Sequence, residues 1–175
     1  MIDTVPVTRD EQFAGFVASQ GDAVLRLARL LSAGPQDAGD LAQTTLMRCY
    51  AVWPRIADNP MPYARRVMAN ARTDRWRRHR DREHSAAEPA EQPGAWTVAA
   101  PDPVEQLADR DQLLRLLRRL TPRERAVVVL RYYLDLTEAQ TAAELDLPLG
   151  TVKSIGSRAL QRLRVAADEP SLERS

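Results

Sequence analysis

The stretch that most constrains the fold is Thr137–Arg164, TEAQTAAELDLPLGTVKSIGSRALQRLR. Ala139, Ala142, Ala143 and Leu145 recur at helical spacing and predict one short amphipathic helix. Thr137 offers a side-chain oxygen to the free N–H groups of its first turn. Asp146-Leu147-Pro148 ends it, because the residue before a proline is pushed out of helical geometry. A second helix starts near Gly150-Thr151, with Val152, Ile155, Ala159, Leu160 and Leu163 facing inward. Its outer face carries Lys153, Ser154, Ser157, Arg158, Gln161 and Arg162. A short helix, a tight turn and a helix with a polar, cationic outer face form a helix-turn-helix pattern, and DNA is the ligand that pattern suits. The plainer alternative is an amphipathic hairpin with solvated charges, so the rest of the chain has to decide.

The N-terminal half repeats the helical signals. Thr8 with Glu11 reads as a capping box, followed by apolar stripes from Phe13 to Leu31 that Gly21 is expected to break into two helices. The next helix is expected over Gln36–Trp53, burying Ala38, Leu41, Ala42, Thr45, Cys49, Val52 and Trp53. Asp40, Gln43, Thr44 and Met47 fall at offsets of three, four and seven and share another side, where a methionine among polar groups suits protein contact. Pro54–Pro62 reads as a proline-rich loop. The helix expected over Tyr63–His84 is the most basic in the chain, with Arg65, Arg66, Arg72, Arg75, Arg77, Arg78, Arg80 and Arg82, and with Tyr63 and Trp76 interleaved. Cationic side chains follow a phosphate backbone, and aromatic faces stack on unpaired bases.

Residues 85–103 change character: Pro89, Pro93, Pro101 and Pro103 appear, helical periodicity is lost, and Trp96 stands alone. This predicts a mobile linker. The expected organisation is all-α: a helical domain over 1–84, the linker over 85–103, a helix-turn-helix domain over 104–167 and a tail over 168–175. In the second domain a leucine-rich helix runs from Val104 to Leu120. Thr121-Pro122 with Glu124 then caps a helix in which Ala126, Val127, Val129, Leu130 and Tyr133 are mainly core.

Composition closes off other classes. The formal net charge is only +1, so the basic signal is local rather than global. Every basic residue except Lys153 is arginine, whose planar fork suits phosphates and guanine edges. Cys49 is the single cysteine, which excludes an intramolecular disulfide, and with His79 and His84 it forms no metal-ligand spacing. No nucleophile elbow or phosphate-cradling glycine loop is present, so no enzyme, metal or cofactor is expected. No apolar run reaches the length of a membrane span, and a cytoplasmic location is expected.

Three segments carry a family resemblance. DAGDLAQTTLMRCYAVW (37–53), PYARRVMANARTDRWRR (62–78) and the run from Leu120 to Arg164 resemble, in order, segments of bacterial RNA polymerase sigma factors of the extracytoplasmic-function type in the sigma-70 family, in particular the actinobacterial SigE-like group. The resemblance implies a sigma region 2 bundle and a sigma region 4 helix-turn-helix domain. Its implied partners are core RNA polymerase, through the largest-subunit clamp helices and the flap, promoter DNA, and an anti-sigma factor, with no membrane insertion. It places Asp40, Gln43, Thr44 and Met47 at the polymerase. It places Arg66, Asn70, Arg72, Arg75, Trp76 and Arg77 at the minus-ten element, with Asn70 holding a flipped base. It places Thr151, Lys153, Ser154, Ser157, Arg158 and Arg162 at the minus-thirty-five element. Gly39 and Thr44 stand where relatives often carry an acidic residue. Ile155 and Gly156 stand where many have a basic or polar residue and then a larger apolar one. At a DNA surface Ile155 would meet only a thymine methyl. The alternative is a helix-turn-helix regulator without polymerase contact, since Leu120–Lys153 also resembles response-regulator effector domains. The N-terminal half, lacking alternating strands, argues against it.

Overall fold

Threonine caps set the helix starts. Thr8, Thr121 and Thr137 each accept the N–H of the residue three positions on, and Glu11, Glu124 and Gln140 return a side-chain acceptor to the capping backbone N–H. All three are capping boxes of the reciprocal kind, which satisfy two orphan donors at once. The hydrogen bonds that Thr8 gives Glu11 hold that carboxyl below its usual range. The computed structural model describes residues 8–77 and 106–168, with backbone alone at 72–77, 106–110 and 168. The helices are α1 (Arg9–Leu31), α2 (Pro35–Ala51), α3 (Trp53–Ile56), α4 (Pro60–Arg77), α5 (Gln106–Arg118), α6 (Pro122–Val128), α7 (Glu138–Leu145) and α8 (Leu149–Asp168), and a π-helical turn, Val129–Tyr133, follows α6. No strand occurs among the described residues. The expected linker with Trp96 lies outside them, as do the N-terminal seven residues, His84 and nearly all of the tail.

Three local expectations give way to packing. Gly21 does not break α1, which runs unbroken because Phe16, Val24, Leu27, Ala28 and Leu31 are buried along its length. A mid-helix glycine costs about 1 kcal/mol against alanine, less than one buried leucine or valine side chain returns. Pro54–Pro62 is not one loop. Pro54 and Pro60 sit in the first turns of α3 and α4, where the missing N–H would have had no helical partner anyway. Tyr133 is not core. It and Tyr132 point outward from the π-helical turn, where the wider ring shifts the phase of a 3.6-residue forecast.

α1, α2 and α4 pack around one interior, closed at one end by an aromatic group. Phe13 lies 5.0 Å from Tyr50 and 5.1 Å from Trp53 between ring centroids, both edge-on, and Trp53 Nε1 donates to Gln12 at 3.3 Å. Such edge contacts are worth about 0.5–1.5 kcal/mol beyond burial. In the C-terminal half, α6 and α7 pack on α8. The halves also touch: α4 meets α6 and α7, and α1 meets α5 and α6. Arg125, buried in α6, donates Nε to Leu117 O at 2.8 Å, Nη2 to Leu120 O at 3.1 Å and Nη1 across to Leu31 O at 3.3 Å. A single guanidinium thus satisfies the carbonyl ends of α5 and α1.

Candidate nucleic-acid interface

The turn between α7 and α8 is made by Asp146, whose left-handed backbone (φ 51°) turns the chain at the end of α7. Ala142 O accepts the N–H groups of Asp146 and Leu147, and Pro148 O accepts those of Thr151 and Val152, so α7 closes as α8 opens. Aspartate tolerates this conformation better than most residues. The expected apolar stripe of α7 is only half right. Ala142 and Leu145 are buried, but Ala139 and Ala143 are exposed, and Thr141 and Glu144 take the inner positions.

On α8, Val152, Ile155, Gly156 and Ala159 are buried. Ile155 therefore faces the core and reads no base. A Cβ on Gly156 would lie 3.7 Å from Val127, an ordinary contact, so the glycine is not sterically required. Lys153, Ser154, Ser157 and Arg158 are exposed and Thr151 is half-buried. At 100° per residue, Ser154, Ser157 and Gln161 lie opposite the buried face, with Lys153 and Arg164 on one flank and Arg158 on the other. A neutral hydrogen-bonding centre between cationic flanks matches a major groove between two phosphate backbones. Two members of the set are tied in the free chain. Arg162 Nη1 lies 3.0 Å from Glu124 Oε2, which directs it toward the start of α6. Lys153 Nζ lies 3.6 Å from Glu138 in an exposed pair that contributes little and is easily exchanged for phosphate. Sequence reasoning missed a cleft beside Lys153. It has a volume of 290 Å³, and Arg131, Tyr132, Glu138, Lys153, Ser157 and Arg164 line it. Arg131 enters it from the π-helical turn, a displacement that helical periodicity does not show.

On α4 the side chains of Arg72, Arg75, Trp76 and Arg77 lie outside the described residues, although their backbone is helical. Arg66 and Asn70 are brought together, but against α7 rather than toward solvent. Arg65 Nη2 lies 2.6 Å from Glu144 Oε1, with both side chains almost fully buried. Arg66 Nε lies 3.7 Å from Glu144 Oε2, and Asn70 Nδ2 donates to Glu144 O at 3.3 Å. Neither Glu144 nor Arg65 was singled out as a site residue. No local signal marks Glu144, since its partner Arg65 is 79 positions away.

On α2, Asp40, Gln43, Thr44 and Met47 are all exposed on one side, and Met47 keeps 66% of its surface. Tyr50 continues this face. Its hydroxyl donates to Asp10 at 2.6 Å, which holds the phenol protonated and raises its pKa, and Arg9 stacks 4.1 Å from its ring centre while donating to its carbonyl. Gly39 is exposed, with nothing within 4 Å of a Cβ placed on it. Burial pushes the Cys49 thiol up to about 11, which keeps it neutral and unreactive at ordinary pH. Among the described residues no group of His, Cys, Asp and Glu could hold a metal, and no helix is long and apolar enough to cross a membrane.

Residues 16–82 match the family described as Sigma-70 region 2, and residues 116–165 match Sigma-70, region 4. The chain is 43% identical over 165 residues to an RNA polymerase sigma-E factor of Streptomyces avermitilis, covering 93% of this chain and 88% of that protein. It is 30% identical over 152 residues to the ECF RNA polymerase sigma factor SigL of Mycobacterium tuberculosis, covering 85% of each. In fold it resembles the Bartonella quintana sigma factor RpoE, solved in complex with the anti-sigma factor NepR, at a TM-score of 0.60 and 21% identity over 93% of this chain and 99% of that one.

Proposed function

The chain belongs to the sigma-70 family as an extracytoplasmic-function sigma factor, and on that premise we propose which of its surfaces carry each step. A sigma factor binds core RNA polymerase and directs promoter-specific initiation, a binding role with no covalent reaction of its own. In our reading Asp40, Gln43, Thr44 and Met47 meet the polymerase clamp. With Gly39 and Thr44 uncharged, that contact relies on Asp40 and on the apolar reach of Met47. α8 reads the minus-thirty-five element through Ser154, Ser157 and Gln161. Lys153 and Arg158 hold the flanking phosphates, and Arg162 joins them once it leaves Glu124. α4 takes the minus-ten element: Arg66 meets backbone and Asn70 holds an unpaired base, with Arg72, Arg75, Trp76 and Arg77 along the same helix. The asparagine amide presents one donor and one acceptor to a base edge, and capture of the base must offset an unstacking cost of a few kcal/mol. The site works in the cytoplasm, and a protein anti-sigma factor controls it.

The observation that carries this reading is the burial of Ile155 and Gly156 beneath an exposed serine-centred face with cationic flanks. These two departures from the family pattern then belong to the core, and the reading face stays intact. Run-off transcription with purified core polymerase on genomic fragments tests it. Discrete start sites that appear only when the protein is added are expected. Transcription unchanged by the protein, with duplex binding retained, would instead mark a plain helix-turn-helix regulator.

A further inference from the structure

Two arginines of α4 face one carboxylate of α7 where the two halves of the chain meet. Buried ion pairs seldom stabilise more than an apolar contact of the same volume, so a pair retained here calls for another role, and switching is the best attested. This pair is also incompletely satisfied. Glu144 Oε2 is buried and accepts no hydrogen bond among the described residues, and Arg66 Nε beside it donates none. Two guanidiniums on one carboxylate leave an excess positive charge that a phosphate, with more acceptor oxygens, would meet better. The backbone of the same residue occupies Asn70, whose Nδ2 donates to Glu144 O.

We infer that Glu144 is an internal stand-in for promoter DNA: its carboxylate, held in place by Arg65, takes the place of a phosphate on Arg66, and its carbonyl takes the place of a base acceptor on Asn70. The free chain thereby masks its own minus-ten surface while α8 stays exposed. The mask is removed when α7 is drawn away from α4, as it must be if the two helices are to reach two separate promoter elements. This rests on the assignment of Arg66 and Asn70 to DNA given above.

Glu144→Gln keeps the shape and removes the charge. Arg65→Met breaks the pair from the other side and leaves the residues assigned to DNA untouched. Each full-length variant is measured free in solution by small-angle X-ray scattering and by fluorescence anisotropy with a labelled single-stranded oligonucleotide carrying the non-template minus-ten sequence. Circular dichroism checks that helicity is kept. If the open form is about one molecule in ten, both variants expand the chain and raise oligonucleotide affinity by up to about tenfold. Adding Asn70→Ala to Glu144→Gln abolishes most of that gain. With core polymerase already bound, wild type and Glu144→Gln bind the oligonucleotide equally. Unchanged free-chain affinity in both folded variants overturns the mask. If Asn70→Ala still weakens capture by the holoenzyme in that case, the DNA assignment stands and only the mask is lost. If Asn70→Ala leaves holoenzyme capture intact, the assignment falls and takes the mask with it.

Discussion

α2 and α4 pack side by side on the same interior, yet they present their outer faces differently. The α2 face of Asp40, Gln43, Thr44 and Met47 is open to solvent, whereas the α4 face of Arg65, Arg66 and Asn70 is covered by α7. The difference separates two kinds of readiness. A protein surface built from a methionine, one exposed carboxylate and neutral polar groups costs little to leave hydrated. A cluster of arginines beside an amide is a general anion site, and leaving it open would invite any nucleic acid to bind. On the proposed assignment of these faces, the free chain is arranged for polymerase first and promoter second.

The largest expected effect tests whether the two helices differ in depth as well as in cover. Met68 on α4 is fully buried and Met47 on α2 is 66% exposed. Met68→Ala is expected to lower unfolding free energy by about 2–5 kcal/mol, and Met47→Ala to change it by less than about 0.5 kcal/mol, both read by urea denaturation. Similar losses at both sites would break the comparison. Next, Asn70→Ala should reduce open-complex formation by about 1–3 kcal/mol, roughly five- to 150-fold, with little change in duplex binding. Permanganate reactivity of the melted strand reports it, and an intact footprint would remove Asn70 from the site. On the open face, Asp40→Ala with Gln43→Ala is expected to weaken core-polymerase binding by about 1–2 kcal/mol without moving the unfolding midpoint. A pull-down that retains as much polymerase as wild type would reassign the face. Gly39→Ala sits on the same helix in open space and should stabilise the protein by about 1 kcal/mol, because it removes the flexibility of a mid-helix glycine. No rise in thermal midpoint would mean that α2 is strained there. The smallest effect expected is that of Arg158→Ala: the salt dependence of promoter binding should lose about one unit of log–log slope. A slope identical to wild type would put Arg158 off the phosphates.

Local chemistry made much of this legible in advance. The threonine capping boxes at Thr8 and Thr121, the cap at Thr137 and the outward placement of Lys153, Ser154, Ser157 and Arg158 all depend on residues within a few positions of one another. They need only a helix to exist. The misreadings share a different cause. Gly21 and Pro54–Pro62 carry local breaking signals that burial or first-turn placement outweighs. Tyr133 sits on a π-helical turn that shifts the periodicity used to judge it. Ala139 and Ala143 are exposed although their residue type belongs inside, because α7 turns Thr141 and Glu144 toward α4 and the interior.

By itself, then, the amino-acid sequence determined an all-α chain, a helix-turn-helix with its polar, cationic outer face, a polar methionine face on α2 and an arginine-rich helix after it, since each follows from spacing along one helix. Only the tertiary structure decided that Arg162 turns back to Glu124, and that Glu144 covers Arg65, Arg66 and Asn70. Helical periodicity says which residues share a side of one helix. It carries no information about which other helix covers that side, and here the covering residue lies more than seventy positions away.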